Sequence, residues 1–203
     1  MIELLEKGGV IMGIIIALSF VAAIIIIERL IFFRRIRVDE EKIINRLKLA
    51  LEKGHFEEAT SICESSPSPI TNLMKVGIDH RHYSDAEIKE SILNAANLEI
   101  PSLERFLPAL GTVAHIAPLL GLLGTVTGNI AAFGVLGQFA GGGDPMALAN
   151  GIAEALLTTA AGIVVSIPAI IFYNSLVSRV NHIIIRLENR VSELVLLLKG
   201  GAI

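Results

Sequence analysis

The chain has 203 residues, of which 53% are hydrophobic, compared with about 45–50% in a typical soluble domain. Its formal net charge is −3 and no basic stripe is interleaved with aromatic residues, which excludes nucleic-acid binding. The single cysteine, Cys63, excludes an intramolecular disulfide and a cysteine-based metal cluster, and the histidines lack zinc-ligand spacing. We therefore expect no metal and no cofactor, and we expect Cys63 to be a buried structural thiol.

The first apolar block covers residues 8–27 and contains no charged residue. As a helix it would span about 30 Å, the thickness of one hydrocarbon core. The residues before it are net acidic and no small-residue cleavage site follows, so we interpret residues 1–29 as a retained membrane helix with a short outer end. Arg29, Arg34, Arg35 and Arg37 follow the block, which predicts a periplasmic N-terminus and a cytoplasmic side from residue 30 onward.

Residues 30–106 form a charged region that we expect to be cytoplasmic and helical. Residues 28–106 hold 12 basic and 14 acidic side chains, most of the charge in the chain. The sequence Ser-Pro-Ser-Pro at 66–69 predicts a break between two helical parts, and Ser84 with Glu87 predicts a capping box. Apolar residues recur at helical spacing in two stretches: Ile43, Ile44, Leu47 and Leu51, then Ile88, Ile92, Ala95 and Ala96.

The second and third apolar blocks cover residues 107–139 and 146–178. Each would form a helix of about 50 Å, longer than the bilayer core, so we expect both helices to extend into the cytoplasm. The glycine-rich segment 140–145 joins them as a periplasmic loop and makes them an antiparallel hairpin. Residues 179–203 follow as an amphipathic cytoplasmic helix. The predicted fold is an all-α membrane protein with three transmembrane helices, of which the second and third extend into a cytoplasmic helical bundle.

Small residues follow a helical period in both long blocks. Membrane helices associate where small side chains let their backbones approach, so these stripes predict tight packing, either within the chain or against other subunits. Pro118 and Pro168 each remove a backbone donor, and we expect each to kink its helix. The glycines with this predicted packing role are Gly121, Gly124, Gly128, Gly151 and Gly162.

Glu154 is the most informative residue, because it is acidic within an otherwise uncharged block. An ionisable side chain at membrane depth costs at least about 2–3 kcal/mol, so it normally faces a bundle interior or a wet cavity. Thr125, Thr158 and Thr159 lie at similar depth, although threonines often bond only to the carbonyl four residues earlier. His115 is a conceivable proton relay, but the pattern favours a hydrogen-bonded packing role.

Two motifs resemble the ExbB/TolQ/MotA proton-channel family. The second helix carries APLLGLLGTVTG at residues 117–128, and the third carries GIAEALLTTAAG at 151–162, followed by Ile-Pro-Ala at 167–169 and Tyr-Asn at 173–174. Residues 4–9 and 27–30 also match the ExbB-like pattern. The resemblance covers nearly the whole chain, is closest to ExbB, and depends mainly on the two long motifs.

The resemblance implies an inner-membrane subunit that forms a pentamer around a single-pass partner of the ExbD/TolR kind. The partner's membrane aspartate would be the main proton carrier, and a TonB/TolA-like protein would transmit force. Thr125, Glu154 and Thr159 match the family positions that line the pore. No aspartate lies in the three apolar blocks, so a proton path requires an acid from another protein. Glu154 and Thr159 are about 140° apart on an ideal helix, so both reach one lumen only through a broad or kinked face.

Several functions remain open at this stage. An ExbB-like role in TonB-dependent uptake is the first choice, because the single small cytoplasmic region favours ExbB or TolQ over MotA. A TolQ-like role in the cell envelope and a non-conducting scaffold are the alternatives, and the ion could be H⁺ or Na⁺. An intramembrane protease is disfavoured, since Ser19 and Ser166 have no plausible histidine base and paired membrane aspartates are lacking.

Overall fold

The structure, a computed structural model, describes residues 2–38, 40–138 and 145–200, which form seven helical elements and no strand. Three segments are long and apolar enough to cross a membrane: Gly9–Arg34, Asp85–Gly134 and Leu148–Leu198. The predicted all-α membrane fold with two long later helices is therefore confirmed. The elements are α1 (Ile2–Val38), α2 (Glu40–Glu52), α3 (Phe56–Ser65), α4 (Pro69–Asp79), α5 (Asp85–Glu104), α6 (Leu107–Gln138) and α7 (Pro145–Gly200).

The chain divides into two compact units. The first comprises Met1–Glu28 and Phe106–Leu176, and the second comprises Arg29–Arg105 and Val177–Ile203. These divisions fall close to the sequence boundaries at 29, 106 and 178, although α7 has no helix end at residue 178. The assignment of the first unit to the membrane and of the second to the cytoplasm stays a prediction.

α1 consists of two helical parts that meet at Gly9. Gly9 has φ +57° and ψ −154°, a backbone conformation that is almost restricted to glycine. A Cβ built at Gly9 would meet no atom within 4 Å, so the requirement is conformational and not steric. The candidate span Gly9–Arg34 therefore begins as a new helical segment at this residue.

The second unit contains α2 to α5, in which consecutive helices pack against one another. The predicted capping box is confirmed, because Ser84 Oγ accepts from the Glu87 N–H while the Glu87 carboxylate accepts from the Ser84 N–H. α3 ends at Ser65 and α4 begins at Pro69, as the proline-rich segment predicts. A further break after α2 was not anticipated from the sequence. The break contains Gly54, whose φ of +74° is the left-handed backbone conformation that often ends helices.

The core of this unit includes most of the two predicted apolar stripes, together with residues of α4 that the sequence analysis did not name. Buried from the stripes are Ile44, Leu47, Leu51, Ile88, Ile92 and Ala96, and buried from α4 are Ile70, Leu73, Met74 and Ile78. Cys63 is buried, as expected, and burial raises the pKa of its thiol to about 11, which makes it unreactive. The last part of α7 also belongs to this unit. Its predicted stripe is buried at Val180, Leu187, Val191 and Leu194.

Arg29 is buried, although it belongs to the arginine group that predicts orientation. Its guanidinium lies 4.4 Å from the centre of the Phe32 ring, and its Nη1 donates to the Ser102 carbonyl at 3.2 Å. Arg29 therefore connects α1 to α5 in addition to carrying charge at the end of the span.

The first unit contains α6 and the membrane part of α7 as an antiparallel pair. Gly111 lies next to Tyr173, Ala114 next to Ser166, and Gly128 next to Ala155, so the contacts run in opposite directions along the two helices. The hairpin predicted from the short connection is thus present. The predicted loop at 140–145 lies outside the described residues, except that Pro145 begins α7.

Candidate functional site

Glycines bring the backbones of α6 and α7 into contact. A Cβ at Gly121 would lie 2.9 Å from the Thr158 carbonyl oxygen, and a Cβ at Gly162 would lie 2.5 Å from the Ala117 carbonyl oxygen. Side chains larger than hydrogen would therefore push the helices apart at these two positions. Gly124, Gly128 and Gly151 face the opposite helix in the same way, against Thr158, Ala155 and Ala132. The small-residue stripes thus pack within one chain.

Three threonines converge at this interface and form what we call the hydroxyl cluster: Thr125 of α6 with Thr158 and Thr159 of α7. The Gly121 carbonyl accepts from Thr159 Oγ1 at 2.8 Å, from Thr125 Oγ1 at 3.3 Å and from Thr158 Oγ1 at 3.4 Å. Thr125 and Thr159 also share a hydrogen bond between their hydroxyls. The Ala155 carbonyl lies 2.7 Å from Thr158 Oγ1 and 3.2 Å from Thr125 Oγ1. Each of these hydroxyls has one proton, which it can donate to either the Gly121 or the Ala155 carbonyl.

The hydroxyl cluster combines the two roles that the sequence left open. Thr125 bonds back to the carbonyl four residues earlier in its own helix, which is the structural role. The same hydroxyl bonds across to α7, so the cluster also links the two helices. A hydroxyl can donate one hydrogen bond and accept others. Thr125 and Thr159 can therefore replace the hydrogen bond between their hydroxyls with bonds to a water or to a carboxylic acid.

Glu154 lies on α7 but not in the hydroxyl cluster. Its side chain is exposed, and the described residues provide it with no hydrogen bond and no ion pair. Ala155, the next residue, is buried against Gly128. Glu154 therefore flanks the face of α7 that packs on α6, about 140° around an ideal helix from Thr159. Among the described residues, no side chain therefore pairs with Glu154.

Pro118 and Ser166 form a pair that the sequence analysis missed. A proline at 118 has no N–H to donate to the carbonyl of Ala114, four residues earlier. The buried hydroxyl of Ser166 donates to this Ala114 carbonyl at 2.6 Å, so α7 supplies the hydrogen bond that α6 lacks. The signal was available in the sequence as a small polar residue on the packing face of one helix and a proline in the other. α7 likewise continues through Pro168, which is exposed.

Two further polar residues of α6 complete the site. His115 Nδ1 donates to the Gly111 carbonyl at 2.6 Å, within its own helix, which agrees with the favoured hydrogen-bonded role. Asn129, one turn beyond Thr125, has a buried Oδ1 with no hydrogen-bond partner among the described residues. Buried polar atoms of this kind usually bind a water, so Asn129 is a candidate water ligand next to the cluster.

The fold and the site together define a class: a helical membrane protein with three spans, in which the last two pack around a hydroxyl cluster beside an exposed acid. The model of the MotA/TolQ/ExbB proton channel family matches residues 65–189. The chain belongs to this family, and the resemblance stated from its motifs is confirmed. The family is one of proton channels.

Three relatives illustrate the match. An ExbB homolog of Methanothermobacter thermautotrophicus is 30% identical over 188 residues, which are 92% of this chain and 66% of that protein. The biopolymer transport protein ExbB-like 1 of Synechocystis is 36% identical over 176 residues, 85% of this chain and 68% of that protein. The Tol-Pal system protein TolQ of Haemophilus influenzae is 48% identical over 89 residues, 44% of this chain and 39% of that protein. The chain thus spans about two thirds of the first two relatives.

Proposed function

We propose that this protein is the channel-forming subunit of an inner-membrane motor that converts proton motive force into periplasmic work, in the manner of ExbB. The observation that carries this proposal is the contact between Thr125 of α6 and Thr159 of α7 at the Gly121 carbonyl. The exposed Glu154 lies on α7, the same helix as Thr159. Glu154 has no partner among the described residues, and a carboxyl group at membrane depth is costly unless it is paired or solvated, which favours a partner from another protein.

The proposed mechanism divides the work between two proteins. A single-pass partner of the ExbD/TolR kind carries the aspartate that takes up and releases the proton. Thr125 and Thr159 donate to and accept from this aspartate as the partner helix passes. Glu154 supplies a second titratable carboxyl, and Thr158 holds α6 and α7 together beneath it. The chain needs no cofactor for this mechanism, because it moves only protons.

We further propose a homo-oligomer, with a pentamer as the favoured stoichiometry, in which α6 and α7 line the pore. Large apolar side chains are exposed along α6, among them Leu119, Leu122, Val126 and Phe133. Faces of this kind meet lipid or a second copy, since water would leave them unfavourably solvated. The proposed orientation has the N-terminus in the periplasm and the C-terminus in the cytoplasm of a bacterial cell.

A TolQ-like role in the cell envelope is the second candidate. It is favoured by the 48% identity to a TolQ protein over 89 residues. In that role the partner would be TolR-like, and a TolA-like protein would receive the force in place of a TonB-like one.

Complementation separates the two roles. The gene would be expressed with a cognate single-pass partner in one strain that lacks ExbB and TolQ and is impaired in both functions. We expect restored TonB-dependent uptake with wild type and none with Glu154→Ala. Restored resistance to detergent without restored uptake would favour the TolQ-like role. Equal restoration by wild type and Glu154→Ala would support the scaffold alternative and contradict the proposal.

A further inference from the structure

The second unit contains a groove of about 310 Å³ between α1 and the C-terminal part of α7. Its apolar wall includes Phe33, Ile36 and Ile185, and its basic rim consists of Arg179, His182 and Arg186. We call this feature the rim groove. It lies apart from the hydroxyl cluster, and the proposed proton path does not use it.

The rim groove lies where α1 leaves its apolar span. Phe33 is inside the candidate span Gly9–Arg34, and Ile36 lies just beyond it. A ligand here would have to present hydrocarbon toward Phe33 and a charged group toward the arginines. That combination describes an amphiphile at the boundary of a membrane and not a fully water-soluble molecule.

The charge of the lining points to an anionic headgroup. Arg179 and His182 are exposed, and their side chains make no hydrogen bond or ion pair within the described part of the chain. Arg186 Nε donates to the His182 carbonyl at 3.4 Å, which holds the two residues of the rim together. None of the lining residues that the structure describes is acidic. The arginine guanidinium matches the geometry of a phosphate group.

We infer that the rim groove binds the phosphate headgroup of an anionic membrane phospholipid. The groove is at the lower end of the roughly 300–1,000 Å³ range of ligand pockets, so it would hold the headgroup and the first part of the acyl chains. Basic pockets beside transmembrane helices commonly bind such headgroups. The remaining acyl chains would extend past Phe33 toward the apolar span of α1.

The test uses the full-length protein, purified and stripped of lipid, then incubated with phosphatidylglycerol or with zwitterionic phosphatidylcholine. Native mass spectrometry measures the lipid retained by each subunit. We expect clear preference for phosphatidylglycerol, a loss of about fivefold with Arg179→Gln, and a larger loss with Arg179→Gln combined with His182→Gln. Arg179→Lys should retain most of the binding. Arg46→Gln is the matched control, because Arg46 is an exposed arginine of α2 outside the groove.

Four results would overturn the inference. Equal retention of the two lipids would show that charge plays no part, and undiminished binding by the Arg179→Gln variant would place the lipid elsewhere. Displacement of phosphatidylglycerol by an equal concentration of inorganic phosphate would indicate a site for free anions. A cysteine from Ile185→Cys that is protected from a thiol reagent in the lipid-free oligomer would show that a second copy covers the groove. Lipid retention is measured without proton flux, so its failure would leave the proposed function intact.

Discussion

Ser166 supplies the hydrogen bond that Pro118 removes from α6, and this exchange links the two long helices at one carbonyl. The Ala114 carbonyl accepts its hydrogen bond from Ser166 of α7, because Pro118 of α6 has no N–H to donate to it. Proline is tolerated in membrane helices where a neighbouring serine or threonine satisfies the freed carbonyl. Pro118 and Ser166 should therefore behave as a coupled pair and not as two independent sites.

Ser166→Ala should lower the free energy of unfolding by about 1 kcal/mol, because it leaves a buried carbonyl without a donor. In a Pro118→Ala background the restored N–H can serve Ala114, so the same substitution should cost much less. Unfolding in mixed detergent micelles with increasing SDS measures both values. Ser175→Ala, at an exposed position of α7, is the control. An equal cost in both backgrounds would mean that the Ser166 bond does not compensate for the proline.

The candidate residues could be predicted at this scale, but their arrangement could not. Glu154 and the threonines stand out because polar groups are costly within apolar blocks. Their convergence on the Gly121 carbonyl depends on the register between α6 and α7, which no local pattern determines. For the same reason, sequence analysis did not show that Thr159 faces α6 while Glu154 lies on the exposed flank.

At the scale of the helices, the α6–α7 interface depends on the absence of side chains at a few positions. Gly162 lies against the Ala117 carbonyl, so a methyl group there must separate the two backbones. Since this contact is within one chain, substitution should first weaken the hairpin, and any loss of oligomer should follow from that. These glycines therefore pack within one chain, which was one of the two possibilities that the sequence left open.

Gly162→Ala should lower the thermal unfolding temperature in detergent, because the new Cβ would lie 2.5 Å from a backbone oxygen. Gly134→Ala provides the matched control, since a Cβ there would meet nothing within 4 Å. It should be neutral or stabilising by up to about 1 kcal/mol, given the higher helix propensity of alanine. Circular dichroism on the two variants makes the comparison. Equal shifts would contradict the proposed close packing.

Glu193 connects α7 to α2 in the second unit. Hydrogen bonds from Lys48 and Arg190 lower the pKa of its carboxyl from the ordinary value of 4.5. A lowered folded-state pKa stabilises the fold above pH 4.5, and this contribution is lost as pH falls through the lower folded value. Glu193→Gln should therefore flatten the acid side of the stability curve, measured by denaturation from pH 6 down to about 3. Glu188→Gln, an exposed change on the same helix, should leave that slope unchanged.

Helix boundaries were predictable where capping or turn residues mark them, as at Ser84 and at the proline-rich segment before α4. The predicted boundary at residue 178 rested on a fall in hydropathy and not on a helix-stop signal. No glycine or proline occurs from residue 169 to 199, so nothing interrupts α7 after the apolar block. The fall in hydropathy therefore indicated where α7 passes from the first unit to the second, whereas the helix itself continues because no glycine or proline interrupts it.

For the whole molecule, the exposed apolar side chains of α1, α6 and α7 predict that the chain functions inside a bilayer and with other copies of itself. Native mass spectrometry in mild detergent should give one discrete oligomer, with five copies expected. A stable monomer that still supports uptake would contradict this assembly. Oligomeric number cannot be derived from one chain, because it depends on angles between copies.

Membrane orientation is tested by a cysteine introduced with Gly142→Cys in the connection between α6 and α7. It should react with a membrane-impermeant thiol reagent from the periplasmic side of intact cells, since the arginines after the first span predict that orientation. The native Cys63 is buried and should give little background. Labelling only after the inner membrane is opened would place this connection in the cytoplasm and contradict the predicted topology.

The central claim is that the hydroxyl cluster and Glu154 take part in proton transfer, and proton flux into liposomes tests it most directly. The protein would be reconstituted with its single-pass partner, and flux would be followed with a pH-sensitive dye under a potassium diffusion potential. We predict partner-dependent flux for wild type and for the control Glu90→Gln, and a strong loss for Glu154→Ala, Glu154→Gln, Thr125→Val and Thr159→Val. Wild-type flux from all four of these variants, with the oligomer intact, would show that the residues only pack and would contradict the account.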